Sequence, residues 1–246
     1  MELKVLDSID VVILDIEGTT TPIDFVHKTL FLFAKQNLHN FLNKNRNSEI
    51  VRKALDELRS IYMNVEVDST GSDFRSTSMD DVSIESATSI LNHLIDVDSK
   101  ASQLKLIEGM IWEEGYRDGR LKGEVYSDVP VSMKKWKSDG KEICIYSSGS
   151  VLAQKLIFSS TEYGDLTSYI TDYFDTGIGK KTEPESYGKI AAAIKKSPER
   201  ILFISDSQIE LNAAASKGFW TVLIHREGDS KRNDYPGIVS SFSEIT

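Results

Sequence analysis

The sequence predicts an α/β protein: a doubly wound, mostly parallel sheet interrupted by an inserted helical cap domain. Three observations carry this reading. From about Leu121 onward, short apolar runs of strand length alternate with helical segments, the β-then-α order of a parallel sheet with crossover helices. A purely helical stretch separates that series from the first apolar run. Polar residues suited to chemistry gather where the runs end, and doubly wound sheets bind ligands beyond the carboxyl ends of their strands. The core is read as 1–23 with 120–246, and the insertion as 24–119.

The first strand, Val11-Val12-Ile13-Leu14, runs into Asp15-Ile16-Glu17-Gly18-Thr19-Thr20. Residues two apart in an extended chain face one side, so Asp15 and Glu17 are expected to point toward one reacting centre. Two anions that close repel unless a cation or a shared proton intervenes, which implies a divalent metal. The same residue types also suit a β-turn closing a hairpin. After this strand, Phe25, Val26, Thr29, Leu30 and Phe33, continued by Leu38, Phe41 and Leu42, recur at helical spacing. Ile50, Val51, Ala54, Leu55, Leu58 and Ile61 mark a second helix. Ala87, Ile90, Leu91, Leu94 and Ile95 mark a third, and Leu104, Ile107, Met110 and Ile111 a fourth. The polar run Asp68–Ser78 has no period and reads as an exposed loop. If the first strand joins the later ones, the ends of the insertion, near Asp24 and Gly119, must lie close together.

Glu142–Tyr146, Ile201–Ser205 and Thr221–Ile224 are the later strands. Val151–Phe158, Glu185–Ala193 and Glu210–Lys217 are their crossover helices. The second strand ends in Ser147-Ser148-Gly149-Ser150 and a later one in Ser205-Asp206-Ser207, with Gly179-Lys180-Lys181-Thr182-Glu183-Pro184 between them. Ser147 and Ser148, with the free N–H groups of a helix start, suit a phosphate or oxyanion, and equally a simple N-cap. Lys181 suits either neutralisation of phosphate or a solvated surface position. Asp206 can complete an oxygen-rich Mg²⁺ site with Asp15, or cap the helix that follows it, or do both.

Bulk properties exclude several classes. With 246 residues, 40% of them hydrophobic and 27% charged, the chain is an ordinary globular protein with a substantial core. A net charge of −9 and a pI near 5.1 argue against an extended nucleic-acid groove. The single cysteine, Cys144, lies in an apolar run and reads as a small core residue in a reducing compartment. Met1-Glu2-Leu3-Lys4 lacks a signal-peptide pattern and no apolar stretch reaches the ~20 residues of a membrane span, so a cytosolic protein without a membrane partner is expected. His27, His39 and His93 lack paired ligand spacing and read as packing or surface residues, while His225 stays ambiguous. Trp112 and Tyr116 read first as packing residues, with contact to an apolar substrate end as the alternative.

The order Asp15-x-Glu17-Gly18-Thr19, Ser147, Lys181, Ser205-Asp206 resembles the haloacid dehalogenase superfamily of phosphotransferases, with Glu17 in place of the commoner second Asp. Longer stretches resemble one branch, the enolase-phosphatases of methionine salvage, or acireductone synthases. They are Asp15–Val26, Tyr146–Phe158 and Tyr173-Phe174-Asp175-Thr176, with Gly115-Tyr116 and Gly119, Glu185-Ser186-Tyr187 with Ile190, and Ser205-Asp206 with Glu210-Leu211-x-Ala213-Ala214. The likeness spans nearly the whole chain and is weakest across Asp68–Ser78.

The resemblance implies a phosphotransferase core and an activity: 2,3-diketo-5-methylthiopentyl 1-phosphate is enolised and dephosphorylated to the acireductone and phosphate. It implies Asp15 as nucleophile and Glu17 as acid/base. Ser147, Ser148 and Lys181 would bind the phosphate, and one Mg²⁺ per subunit would be held by Asp15, Asp206 and the backbone carbonyl of Glu17. Enolisation needs a base beside the substrate carbonyl, and Glu17 is the candidate. A small phosphorylated diketone is the expected partner, a monomer the expected state, and the cytoplasm, with the nucleus too in a eukaryote, the expected location. Two alternatives stay open: a capped phosphatase for another small phosphomonoester, and a receiver-type signalling module, which needs neither Glu17 nor a large insertion. A non-catalytic interaction protein would leave the filled catalytic positions without purpose.

Overall fold

A computed structural model describes residues 5–63, 84–226 and 235–246. The polar run Asp68–Ser78 lies outside them, as does the side chain of Ile61. The chain forms two compact units, Met1–Val26 with Leu121–Thr246, and His27–Arg120. The helical unit thus begins at His27 and ends at Arg120, and Phe25 and Val26, both buried, fall in the sheet unit. No helix among the described residues is long and apolar enough to cross a membrane.

The sheet unit is built on β1 (Val11–Leu14), β2 (Glu142–Tyr146), β3 (Asp172–Phe174), β4 (Ile201–Ser205), β5 (Trp220–Ile224) and β6 (Ile238–Val239). They lie in the order β3-β2-β1-β4-β5-β6, and every neighbouring pair is parallel. The crossover segments carry α5 (Asp128–Ser138), α6 (Val151–Ser159), α7 (Pro184–Ile194) and α8 (Gln208–Ala215). Because helices cover a parallel sheet, its central strands are apolar on both faces and read as continuous runs. Val11, Ile13, Cys144, Tyr146, Ile201 and Phe203 pack in one core cluster with Tyr187 and Ile190 of α7 and Leu211 of α8, while Val12, Leu14, Ile143 and Ile145 are equally buried. Cys144 is one of these core residues, and burial pushes its thiol up to about 12, which leaves it unreactive.

The chain reverses direction across the sheet at β1, with β2 on one side and β4 on the other, which puts a topological switch point between β1 and β4. Both neighbours of β1 run parallel to it, so the hairpin reading of Asp15–Thr20 is excluded.

A π-helical segment, Phe25–Leu30, begins in the sheet unit and leads into the helical unit's α1 (Phe31–Lys44), followed by α2 (Glu49–Met63), α3 (Ile84–Asp96) and α4 (Ser102–Arg117). All four helices match the apolar spacing. α1 packs on α3 and α4, and α2 on α4. Leu38, Phe41 and Leu42 of α1, Leu91 and Leu94 of α3 and Leu104, Ile107 and Ile111 of α4 are buried. Trp112 is a packing residue whose Nε1 donates to the Leu30 carbonyl at 2.9 Å.

Candidate active site

Asp15 is the first residue past β1, and its amide continues the ladder to β4 by donating to the Ile204 carbonyl at 3.1 Å. Beyond it the chain leaves the strand. The amides of Thr19, Thr20 and Thr21 all donate to the Ile16 carbonyl at 2.9 to 3.1 Å, and Gly18 donates to the Thr21 carbonyl at 2.8 Å. Asp15 and Glu17 are thus related by a tight turn, not by the alternation of an extended strand, because the ladder partners end at Leu14. Asp15 is buried and Glu17 only partly so. Gly18 has φ +69°, and a Cβ there would also run into the carboxylate of Asp206. Two independent constraints therefore demand glycine at this position.

Lys181 comes to Asp15 from the loop before α7. Its Nζ lies 2.5 Å from Asp15 Oδ1 and 2.6 Å from Glu210 Oε2, and its side chain is 6% exposed. The solvated-lysine reading is therefore wrong, for a physical reason: the buried carboxylate of Asp15 and the partly buried one of Glu210 hold the ammonium. Burial disfavours its charge, but Asp15 and Glu210 more than offset this and hold its pKa above the ordinary lysine value. Ser205 Oγ completes the cluster, bonding Asp15 Oδ2 at 3.2 Å and Glu210 Oε2 at 3.0 Å. Aromatic walls enclose it: the Tyr187 hydroxyl donates to the Lys181 carbonyl at 2.7 Å, and Nζ lies 6.0 Å from the Tyr146 and Phe203 ring centres.

Asp206 follows β4 across the switch point, and its amide donates to Thr19 Oγ1 at 3.1 Å. Burial first, and then the negative charge of Asp15, push its carboxyl up to about 7. α8 takes Ser207 as its N-cap residue, so the helix-capping reading of Asp206 is not realised. Among the described residues no three His, Cys, Asp or Glu side chains form a metal cage. The carboxylates of Asp15 and Asp206 do form a hard-oxygen pair whose mutual repulsion a divalent cation would relieve.

Ser147 and Ser148 lie past β2, beside β1 in the sheet. Ser147 is buried, and its amide donates to the Phe174 carbonyl at 3.1 Å while its Oγ accepts from Gly149 N at 3.2 Å. Neither is the N-cap of α6. That role falls to Ser150, whose side chain accepts from Ala153 N at 3.3 Å.

The haloacid dehalogenase-like hydrolase pattern matches residues 9–218. An enolase-phosphatase E1 from Persephonella marina is 42% identical over 240 residues, 97% of this chain and 99% of that one. Its counterpart from Drosophila melanogaster is 38% identical over 91% of this chain and 86% of its own length. This chain belongs to the enolase-phosphatase family of haloacid dehalogenase-like hydrolases.

The crystal structure of the UTR4 protein from Saccharomyces cerevisiae superposes with a TM-score of 0.76 at 32% identity, covering 96% of this chain and 99% of that one. A haloacid dehalogenase phosphatase from Thermococcus onnurineus, at 17% identity and a TM-score of 0.57, shares the fold. In this enolase-phosphatase family member the residues joined by direct contacts are Asp15, Lys181, Ser205 and Glu210, with Asp206 tied in through Thr19. Glu210 was given no role from the sequence, since an acid in a first helical turn is ordinary complementation of the helix dipole. Gln154 was likewise missed: fully buried on α6, its Nε2 donates to the Gly149 and Phe174 carbonyls, each at 2.9 Å, and so braces the Ser147 loop.

Proposed function

We propose that this chain converts 2,3-diketo-5-methylthiopentyl 1-phosphate to the acireductone and phosphate, first by enolisation and then by hydrolysis through an aspartyl-phosphate. What carries the phosphatase half is the Lys181 ammonium, buried between Asp15 and Glu210 at the carboxyl end of β1. It holds an anionic nucleophile out of water and offers positive charge where phosphate charge must be met. The enolase half is supported by full-length relatives named enolase-phosphatase.

A carboxylate of Asp15 attacks phosphorus, and the bond from phosphorus to the substrate oxygen breaks as Glu17 gives that oxygen a proton. Water then attacks the aspartyl-phosphate, Glu17 takes its proton, and phosphate leaves with Asp15 restored. Donors from Ile16 N at 2.7 Å and Lys181 fix Asp15 Oδ1, while Oδ2 has the single longer bond from Ser205 and is the freer oxygen. Ser147, Ser148 and Lys181 hold the phosphate. Asp15, Asp206 and the Glu17 carbonyl would hold Mg²⁺, which would offset charge on the phosphate and the enolate oxygen. In enolisation Glu17 is the base.

Incubation of the protein with the diketo phosphate and Mg²⁺, following enol absorbance and phosphate together, tests both halves. Asp15→Asn is expected to lower phosphate release by at least about 10⁴-fold. Glu17→Gln should also stop deuterium loss from the substrate carbon, and normal loss would remove Glu17 as the base. Equal turnover of unrelated phosphomonoesters with no enol signal would favour the general phosphatase.

A further inference from the structure

Just past β5, the side chain of Arg226 is 6% exposed. Its guanidinium lies against the rings of Tyr126 and Phe242, 4.3 and 4.6 Å from their centres. Nη1 donates to Asp128 Oδ2 at 2.7 Å, and that oxygen also accepts from Phe242 N at 2.6 Å and Ser241 Oγ at 2.8 Å. Nε donates in the other direction, to the Thr19 carbonyl at 2.8 Å. The next carbonyl, that of Thr20, accepts from Tyr126 N at 3.0 Å. Two successive carbonyls of the turn that follows Asp15 are therefore held by neighbours in one cluster. The same two residues hold the backbone of Asp206 and Asp15 by their hydroxyls: Thr19 Oγ1 accepts from Asp206 N, and Thr20 Oγ1 donates to the Asp15 carbonyl at 3.0 Å.

A buried arginine–aspartate pair seldom repays its desolvation, and apolar residues of similar volume would stabilise the fold as well. Apolar residues cannot hold a carbonyl oxygen in a fixed direction, whereas a planar guanidinium locked by stacking and a carboxylate can. We propose that Arg226 is a positioning residue for phosphoryl transfer, fixing the Thr19 carbonyl and thereby the placement of Asp15 and Glu17 against Asp206. Tyr126 and Asp128 hold it in register. This inference rests on the reading of Asp15 as nucleophile.

Arg226→Lys keeps the charge and loses the fork, and Asp128→Asn keeps Arg226 and removes the group that orients it. Each should lower kcat, by on the order of 10- to 100-fold for Arg226→Lys and less for Asp128→Asn, with KM changed less than about threefold. The amides of Thr19, Thr20 and Thr21 should exchange with solvent faster than in the unsubstituted protein, while those of β4 keep their protection. A purely structural role predicts the opposite: a lower unfolding midpoint, with kcat and exchange at the turn unchanged, and that result overturns the proposal. Should Arg226→Lys not fold, Asp128→Asn decides alone, and wild-type kcat with wild-type exchange overturns it. If the unsubstituted protein releases no phosphate, the Asp15 reading is what fails, and exchange at the turn still decides whether Arg226 orders it.

Discussion

The sheet unit and the inserted helical unit both bury carboxylates, and they treat two of them, Asp15 and Glu108, in opposite ways. In the sheet unit one ammonium, Lys181, stands between Asp15 and Glu210, and the Ser205 hydroxyl bonds both acids. In the helical unit Glu108, on α4, is 5% exposed, and burial pushes its carboxyl up to about 8, with Lys100 and Lys105 opposing only in part. The first arrangement keeps charge out of water by pairing it. The second gives the charge up. Retaining buried charge costs desolvation, so the pairing of Asp15 and Lys181 marks this sheet edge as a place where charge is used.

The comparison breaks most directly at Lys181. Lys181→Met fills the same space without the charge and leaves Asp15 and Glu210 facing each other without a cation, which should cost about 3–5 kcal/mol of stability together with nearly all phosphate release. The control lies in the helical unit, where Lys44 Nζ is 2.9 Å from Glu114 Oε1 with the lysine side chain 65% exposed. Lys44→Met should leave both the urea midpoint and the activity unchanged, because an exposed pair is screened. Equal effects of the two substitutions would mean that the buried cluster is not special.

This contrast was only half legible in the sequence. β1, β2, β4 and β5 were readable because a strand covered on both faces is one uninterrupted apolar run, and the four helices of the insertion because each carries an apolar stripe. β3 and β6, Asp172–Phe174 and Ile238–Val239, are too short for any run to register, and α5, Asp128–Ser138, was not read from the sequence. At the site, Asp15, Lys181 and Asp206 were visible as residue types at strand and loop ends. The burial of Lys181 and the part played by Glu210 were not, since both arise from contacts between residues as far apart as Asp15 and Lys181. Ser147 and Ser150 look alike in sequence, and only the helix geometry shows that Ser150, not Ser147, is the cap.

A pH series sharpens the other side of the comparison. The Glu108 pKa in the folded chain, about 8, is above the ordinary value of 4.5, so between these values the unfolded chain is ionised while the folded one keeps its proton. The folded state then binds more protons than the unfolded, and stability falls as pH rises through that window, by a few kcal/mol at most, before levelling above about 8. Glu108→Gln keeps the shape and removes the ionisation. Its urea midpoint should match the unsubstituted protein near pH 4.5 and exceed it near pH 8, with no change in phosphate release. Parallel pH profiles for the two proteins would show that Glu108 is not the source.

The smallest effect separates fold from chemistry inside the sheet unit itself. Ser150 Oγ accepts from Ala153 N and satisfies one of the free donors at the start of α6, so Ser150→Ala should cost about 1 kcal/mol of stability. Because the cap faces the helix and not the phosphate, kcat and KM should stay at their original values. Ser147→Ala is the converse case: α6 keeps its cap, and the buried hydroxyl beside β1 is lost, so turnover should fall while the unfolding midpoint moves less than for Ser150→Ala. If Ser150→Ala were instead the variant that lost turnover, the phosphate loop would depend on the start of α6, and the separation between cap and binding hydroxyl would have to be given up.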